Sequence, residues 1–187
     1  MVRRDNATEP QVKLHAEYIR NVYGIYGVPG NPTVLPPAYH DASGVDIGGV
    51  DPAMLSASPR AGLDAWVTVG LAGGGAEGTI ESTGVDFYGW TAEAPLVIED
   101  GLIYWSEPDD GPTPADGEVT IAQLTVGSME KFEGRVNLLG RSVGDRSLDE
   151  DSGLVKGDWE WTVDFNVDQR LAPGRNRYGV QGVHLNP

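Results

Sequence analysis

DWEWTVDFNV, Asp158 to Val167, decides the class of fold. Trp159, Trp161, Val163, Phe165 and Val167 fall on one side of an extended chain, and Asp158, Glu160, Thr162, Asp164 and Asn166 fall on the other. Side chains repeat every second residue only in a β-strand, so this is a strand with one face in a core and one in water, the pattern of an antiparallel sheet.

The same period recurs outward from it. QVKLHAEYI alternates through Val12, Leu14, Ala16 and Tyr18, and DAWVTVGL, TIESTGVDF, EVTIAQLTV and KFEGRVNLL are further β-branched segments of strand length. LVIED-GLIYW reads as a hairpin turned by Asp100-Gly101. Gly, Pro, Asp and Ser punctuate these runs at the roughly 8 to 12 residue spacing of sandwiches and barrels. Helical period is confined to Asp51–Ser58, DPAMLSAS, where Asp51 can cap and Pro52 can fill the first position of one or two turns.

The expectation is an all-β fold, a two-sheet antiparallel β-sandwich of about seven to nine strands with extended N- and C-terminal arms. The boundaries are 1–11 for the N-terminal arm, 12–168 for a single sandwich domain and 169–187 for a basic C-terminal arm. A chain of 187 residues, 40% hydrophobic, suits one substantial core or two small ones. Trp159 and Trp161 belong to that core by phase. Trp66 is out of phase with Val67, Val69 and Leu71, so it faces solvent, a second layer or a partner.

Composition excludes several functions. Without cysteine there is no disulfide framework, thiolate zinc site or cysteine nucleophile, which fits a reducing compartment. A net charge of -15 argues against nucleic acid or anionic lipid as partners, because phosphate recognition needs clustered Lys and Arg. The sequence has no apolar run long enough to span a bilayer and MVRRDNATEPQVKL has no signal-type apolar region, so the chain reads as soluble and without a membrane partner. Charge is unevenly placed: Asp168 is the last acid, and Arg170, Arg175 and Arg177 follow it. High surface acidity also suits a saline habitat.

Chemistry-bearing motifs are weak throughout. Gly73–Gly78 satisfies G-x-G-x-x-G, but Thr79-Ile80-Glu81-Ser82-Thr83 behind it is strand-forming, whereas a dinucleotide site needs a helix there; the stretch reads as a hairpin loop. His15, His40 and His184 are scattered, without partners at ligand spacing. EPDDGPTPADGE and DRSLDEDSG offer hard oxygen atoms yet miss the EF-hand register, and Asn6-Ala7-Thr8 is a sequon too short to carry weight. No catalytic residue, cofactor or metal is expected.

The surface is more informative. NVYGIYGVPGNPTVLPPAYH, Asn21 to His40, holds three tyrosines and four prolines and no charge. Prolines disfavour helix and inner strand, so the segment is expected to run extended over a surface, against its own sandwich or another copy. Tyr23, Tyr26, Pro29, Pro36, Pro37 and Tyr39 are its candidate contact residues. In the tail, Arg170, Arg175, Arg177 and Tyr178 are candidates for docking on the acidic body of a neighbour.

NVYGIYG, the proline-spaced segment ending in PPAY, GVDIGGVDP, DAWVTVG and GLIYWSEPDDGP resemble a β-sandwich module of the pyrenoid shell proteins of diatoms and related algae and their marine bacterial relatives, over roughly Val12 to Val167. That resemblance implies a non-enzymatic protein that polymerises with copies of itself into a sheet, tube or filament, and a chloroplast pyrenoid location. The competing reading is a secreted binding module for carbohydrate or calcium, using exposed tryptophans such as Trp66 or Trp90 and the acidic loops. A carboxylate-pair hydrolase comes third.

Overall fold

The computed structural model describes residues 11–15, 19–42, 44–71, 73–74, 79–107, 111, 118–126, 131–142, 158–168 and 179–180. Asp158–Asp168 forms strand β10, and it pairs antiparallel along its whole length with β9, Lys131–Ser142. Trp159 stands opposite Gly140, Trp161 opposite Leu138, Val163 opposite Val136 and Phe165 opposite Gly134, so both strands send their apolar set to the same side. Leu138, Val136 and Phe165 are buried there. Each such side chain contributes about 1.5–3 kcal/mol through removal from water.

The other strands are β1 Gln11–His15, β2 Ile19–Gly27, β3 Thr33–Leu35, β4 Trp66–Val67, β5 Ile80–Thr83, β6 Leu96–Ile98, β7 Gly101–Trp105, β8 Glu118–Gln123 and β11 Gly179–Val180. They make an eight-stranded sheet along the path β11-β10-β9-β2-β7-β5 with β3 and β6 attached, and a three-stranded sheet ordered β1-β8-β4. Both are antiparallel. One apolar cluster lies between them, joining Val22, Ile25, Ile103, Val136 and Leu138 of the larger sheet to Val67, Val119 and Ile121 of the smaller. This is the expected all-β, two-sheet sandwich.

Two expectations about the larger sheet fail. Asn21–Gly27 is not a surface strap but part of β2, an inner strand between β9 and β7, with Val22 and Ile25 buried. The prolines begin only at Pro29, after the strand has ended. Nor do Leu96–Ile98 and Gly101–Trp105 form a hairpin. β6 pairs with β3 and β7 with β2, both antiparallel, while β2 and β3 both run antiparallel to β9. Hence β2 and β3 are successive pieces of one lane, and β7 and β6 are successive pieces of the next. Among the described residues the strands therefore occupy nine lanes, six in the larger sheet and three in the smaller.

Residues 28–32 interrupt the first lane as a blister, facing only residues 99 and 100 across it. Val28 and Asn31 close it with reciprocal backbone bonds of 2.9 and 3.3 Å around Pro29-Gly30, where Gly30 takes φ 88°, a left-handed value that favours glycine. Buried Asn137 of β9 adds a donor to two carbonyls of the blister, giving Nδ2 to Asn31 O at 2.8 Å and Tyr26 O at 3.3 Å. Its Oδ1 accepts from Thr162 Oγ1 at 2.8 Å and Asn31 Nδ2 at 3.2 Å. Thr33 Oγ1 donates to Tyr26 O at 2.6 Å and accepts from Asn137 N at 2.9 Å. A break in the ladder is thus repaired by side chains.

The short helix is where its caps place it. α1, Pro52–Ala57, starts on Asp51, whose Oδ1 accepts from Ala53 N at 2.6 Å, and a 3₁₀ turn, Pro59–Leu63, follows. Together they cover the outer side of the smaller sheet, with Ala61 and Val50 packed on Trp66 in a satellite core. Trp66 therefore faces a second layer. Gln123 Nε2 pins that layer by donating to Gly62 O at 3.1 Å and Asp64 O at 2.9 Å. Strand Ile80–Thr83 does follow the glycine run, but β4 and β5 lie in different sheets, so the connection between them is a crossover rather than a hairpin loop. No helix among the described residues is long and apolar enough to cross a membrane.

Candidate assembly surface

The face of the larger sheet turned away from the core is built by the residues out of phase with Leu138, Ile103 and Ile25. Leu139 of β9 and Leu102 of β7 meet over Gly24 of β2. Tyr104 flanks them, and Tyr23 and Tyr26 stand on β2, with an irregularity of register between Val22 and Gly24. All five large side chains are half-buried within the chain itself. The result is a strip of tyrosine and leucine across three adjacent lanes.

Carboxylates border this strip on both sides. Tyr26 donates its hydroxyl to Glu160 at 3.2 Å, and Tyr104 donates to Glu81 at 2.7 Å. Arg141 lies over the Tyr23 ring, 5.0 Å from its centroid, and bonds Asp158 at 3.1 Å. Arg135 holds Asp164 with a two-pronged contact at 2.7 and 3.3 Å. Burial raises the Tyr23 phenol, helped by Asp158 and Glu160 and opposed by Arg141; burial and then Glu160 raise Tyr26. For Tyr104 the bond to Glu81 is the main cause of a raised value. These phenols stay protonated donors, leaving an apolar centre with an ionic rim, the anatomy of protein interfaces.

The sequence-derived contact residues divide among three places. Tyr23 and Tyr26 sit on this face, and Pro29 is exposed at the tip of the blister on the same lane. Pro36, Pro37 and Tyr39 lie where the chain crosses between sheets: Ala38 N bonds Thr91 O, and Tyr39 bonds Thr125 and Ala65 through its backbone. Pro36 is buried and accepts from the Trp90 indole at 2.9 Å, while Tyr39 accepts from Arg60 at 3.1 Å and donates to Asp41 at 2.9 Å. Arg170, Arg175, Arg177 and Tyr178 lie outside the described residues. Leu102, Tyr104 and Leu139 were missed by sequence reasoning, although their alternation with Ile103 and Leu138 was the available signal.

One reading is corrected and one cluster is new. Trp66 and Trp90 are each 2% exposed, which corrects the reading of them as open sugar platforms. Beside Trp90, His40 makes an edge contact at 4.5 Å and places Nδ1 3.6 Å from Asp64 and 3.9 Å from Asp46. Asp64, 1% exposed, accepts from Asp41 N at 2.8 Å and Val45 N at 2.7 Å and so fixes the 41–45 loop. Burial nonetheless outweighs these donors and raises the Asp64 carboxyl above its ordinary range. Among the described residues no group of three or more His, Asp or Glu is arranged to hold a metal ion.

The folded chain therefore holds the Asp64 proton more tightly than the unfolded chain, and Asp64 contributes increasing stability as pH falls through its raised titration towards the ordinary carboxylate value. Asp64→Asn should cost about 1–3 kcal/mol at neutral pH by leaving one loop N–H without an acceptor. The deficit against Asp64 should widen on acidification. Urea midpoints across a pH series, taken in a His40→Gln background to remove the neighbouring imidazole, check both statements.

Comparison of the chain with protein-family models, curated proteins and solved structures gave no match.

Proposed function

We propose that this protein is a non-enzymatic structural unit that associates with copies of itself into a sheet, tube or filament. The observation supporting this reading is the tyrosine–leucine strip on the outer face of the larger sheet. It is apolar enough to reward burial and bordered by acids on both flanks. The residues after Asp168, with Arg170, Arg175 and Arg177, supply the complementary charge, so one copy's basic segment meets the acidic rim of the next. Such a body-to-tail contact is heterologous and propagates instead of closing.

Electron microscopy and light scattering over a salt series should show extended polymers of the full chain. Uniform small particles at high concentration under every salt condition would overturn the reading. Tyr104→Lys isolates the face from the fold: the Tyr104 side chain bonds only Glu81 among the described residues, so monomer stability should move by no more than about 0.5 kcal/mol while assembly is lost. Tyr23→Ser with Tyr26→Ser should lower both, since those rings also pack within their own chain.

A further inference from the structure

Self-association makes no use of the layer over the outer side of the smaller sheet, where Trp66 is buried. Both feet of this layer are fixed to the sandwich. On the way in, Gly48 N donates to Val67 O at 2.8 Å, Gly48 O accepts from Gly74 N at 3.1 Å, and Val67 N donates to Asp46 O at 3.0 Å. On the way out, the buried Asp64 carboxyl accepts from Asp41 N at 2.8 Å and Val45 N at 2.7 Å, so it ties the outgoing foot to the incoming one. Residues 49–63 thus leave and return at neighbouring points, as an Ω-loop does. We propose that 49–63 is a lid that opens as one body about these feet and uncovers Trp66 while the sandwich stays folded.

The lid holds itself together. Leu55 N donates to Asp51 O, Ser58 N to Met54 O and Ala61 N to Ser58 O, while the Asp51 carboxylate caps Ala53 N. It holds the sandwich lightly by comparison. α1 has no buried residue and Leu55 is 36% exposed. Val50 and Ala61 pack on Trp66 in a cluster separate from the main core, with Val45 and Met54 at its margin. Gln123 Nε2 reaches across to Gly62 O, and Arg60 donates to the Tyr39 hydroxyl at an exposed position. Segments that bury little apolar surface open locally at a fraction of the global free energy. A hinge is also built in: Gly48 and Gly49 take φ of 83° and 81°, and Gly49 is the first residue beyond the pinned one. Glycine moves between left- and right-handed backbone without the Cβ penalty that other residues meet. While closed, the lid keeps a large aromatic side chain off the side of the sandwich opposite the tyrosine–leucine strip.

Native-state hydrogen exchange of the dilute full chain, read by NMR, tests the lid, and two indoles serve as paired reporters. Trp66 under the lid and Trp90, which donates to Pro36 O beside the main core, are each 2% exposed. The amides of Leu55, Ser58 and Ala61 and the Trp66 indole should share one opening constant, at least about tenfold above that of Val136, Leu138 and the Trp90 indole. Exchange of every group at the global rate, or loss of protection in α1 while Trp66 follows Trp90, would overturn the proposal. Two mild variants separate lid from sandwich. Ile103→Val, in the main core, should speed exchange of Val136, Leu138 and Trp90 about fivefold and leave the lid and Trp66 within about twofold; acceleration of both groups would mean that the lid opens only with the sandwich. Gly49→Ala strains the closed hinge, because alanine resists a left-handed φ, and should speed the lid amides and the Trp66 indole together by about tenfold. Unchanged lid exchange in that variant would mean that opening does not turn on Gly49, and would overturn the proposal as well.

Discussion

Asn137→Leu should lower stability by about 4 kcal/mol, because a side chain of similar size replaces one whose every polar atom is used. The asparagine holds Tyr26 O, Asn31 O, the Asn31 amide and the Thr162 hydroxyl at once, all around a residue with no exposed surface. Leucine removes four hydrogen bonds at once: Asn31 O keeps Val28 N and Tyr26 O keeps the Thr33 hydroxyl, but the Asn31 amide and the Thr162 hydroxyl lose this acceptor. For a chain of this length the midpoint of thermal unfolding should fall by about 10 °C. Asn137→Asp separates donor from volume: it retains an acceptor for Thr162 but turns a carboxylate oxygen towards two carbonyls. That variant should be worse than leucine at neutral pH and recover as its carboxyl takes up a proton in acid. A change below about 1 kcal/mol in Asn137→Leu would show that the blister closes without it. Because Tyr26 is tied to Asn137 through its carbonyl, assembly should weaken along with stability.

That network also explains which parts of the fold were legible. DWEWTVDFNV announced a strand because its period of two is local, and DPAMLSAS announced a helix because capping chemistry is local. Trp66 declared itself by being out of phase, and only a second layer resolves a large aromatic side chain in that position. NVYGIYG was misread because its prolines were counted over the whole uncharged stretch, whereas Gly27 ends the strand before the first of them. LVIED-GLIYW was misread because Asp-Gly is a hairpin signal only when the flanking strands lack other partners. Here β3 and β2 supply those partners, and the blister between them, a long-range feature, keeps β6 and β7 in one lane.

The site was legible to a lesser degree for the same reason. Tyr23 and Tyr26 stood out by chemistry, yet what makes them a surface is Leu102, Tyr104 and Leu139, brought alongside by strand order that no local pattern encodes. His40 looked isolated because Asp46 and Asp64 reach it through a loop and a crossover. The stacked tryptophans were rightly placed on the core side, but both are only half-buried, since β10 lies close to the end of its sheet.

The tryptophan pair sets the second large expectation. The indole of Trp159 lies flat enough on β9 that a methyl group at Gly140 would land inside its ring. Gly140 is therefore a seat for an aromatic side chain, as glycine opposite an aromatic residue is in other sheets. Gly140→Ala should cost about 3 kcal/mol, at the upper end of overpacking, because moving Trp159 also breaks its stack on Trp161 at 4.0 Å. Shortening the intruding side chain removes the conflict. In a Trp159→Leu background the same Gly140→Ala change should cost less than about 1 kcal/mol, since alanine suits an inner strand better than glycine does. The double-mutant cycle should return a coupling of at least about 2 kcal/mol, large for a cross-strand pair, where about 0.2–1 kcal/mol is usual. Equal costs in both backgrounds would mean that Gly140 matters for its backbone and not for the ring above it. The cycle therefore tests whether the residue that first revealed the strand also fixes which neighbour the strand accepts.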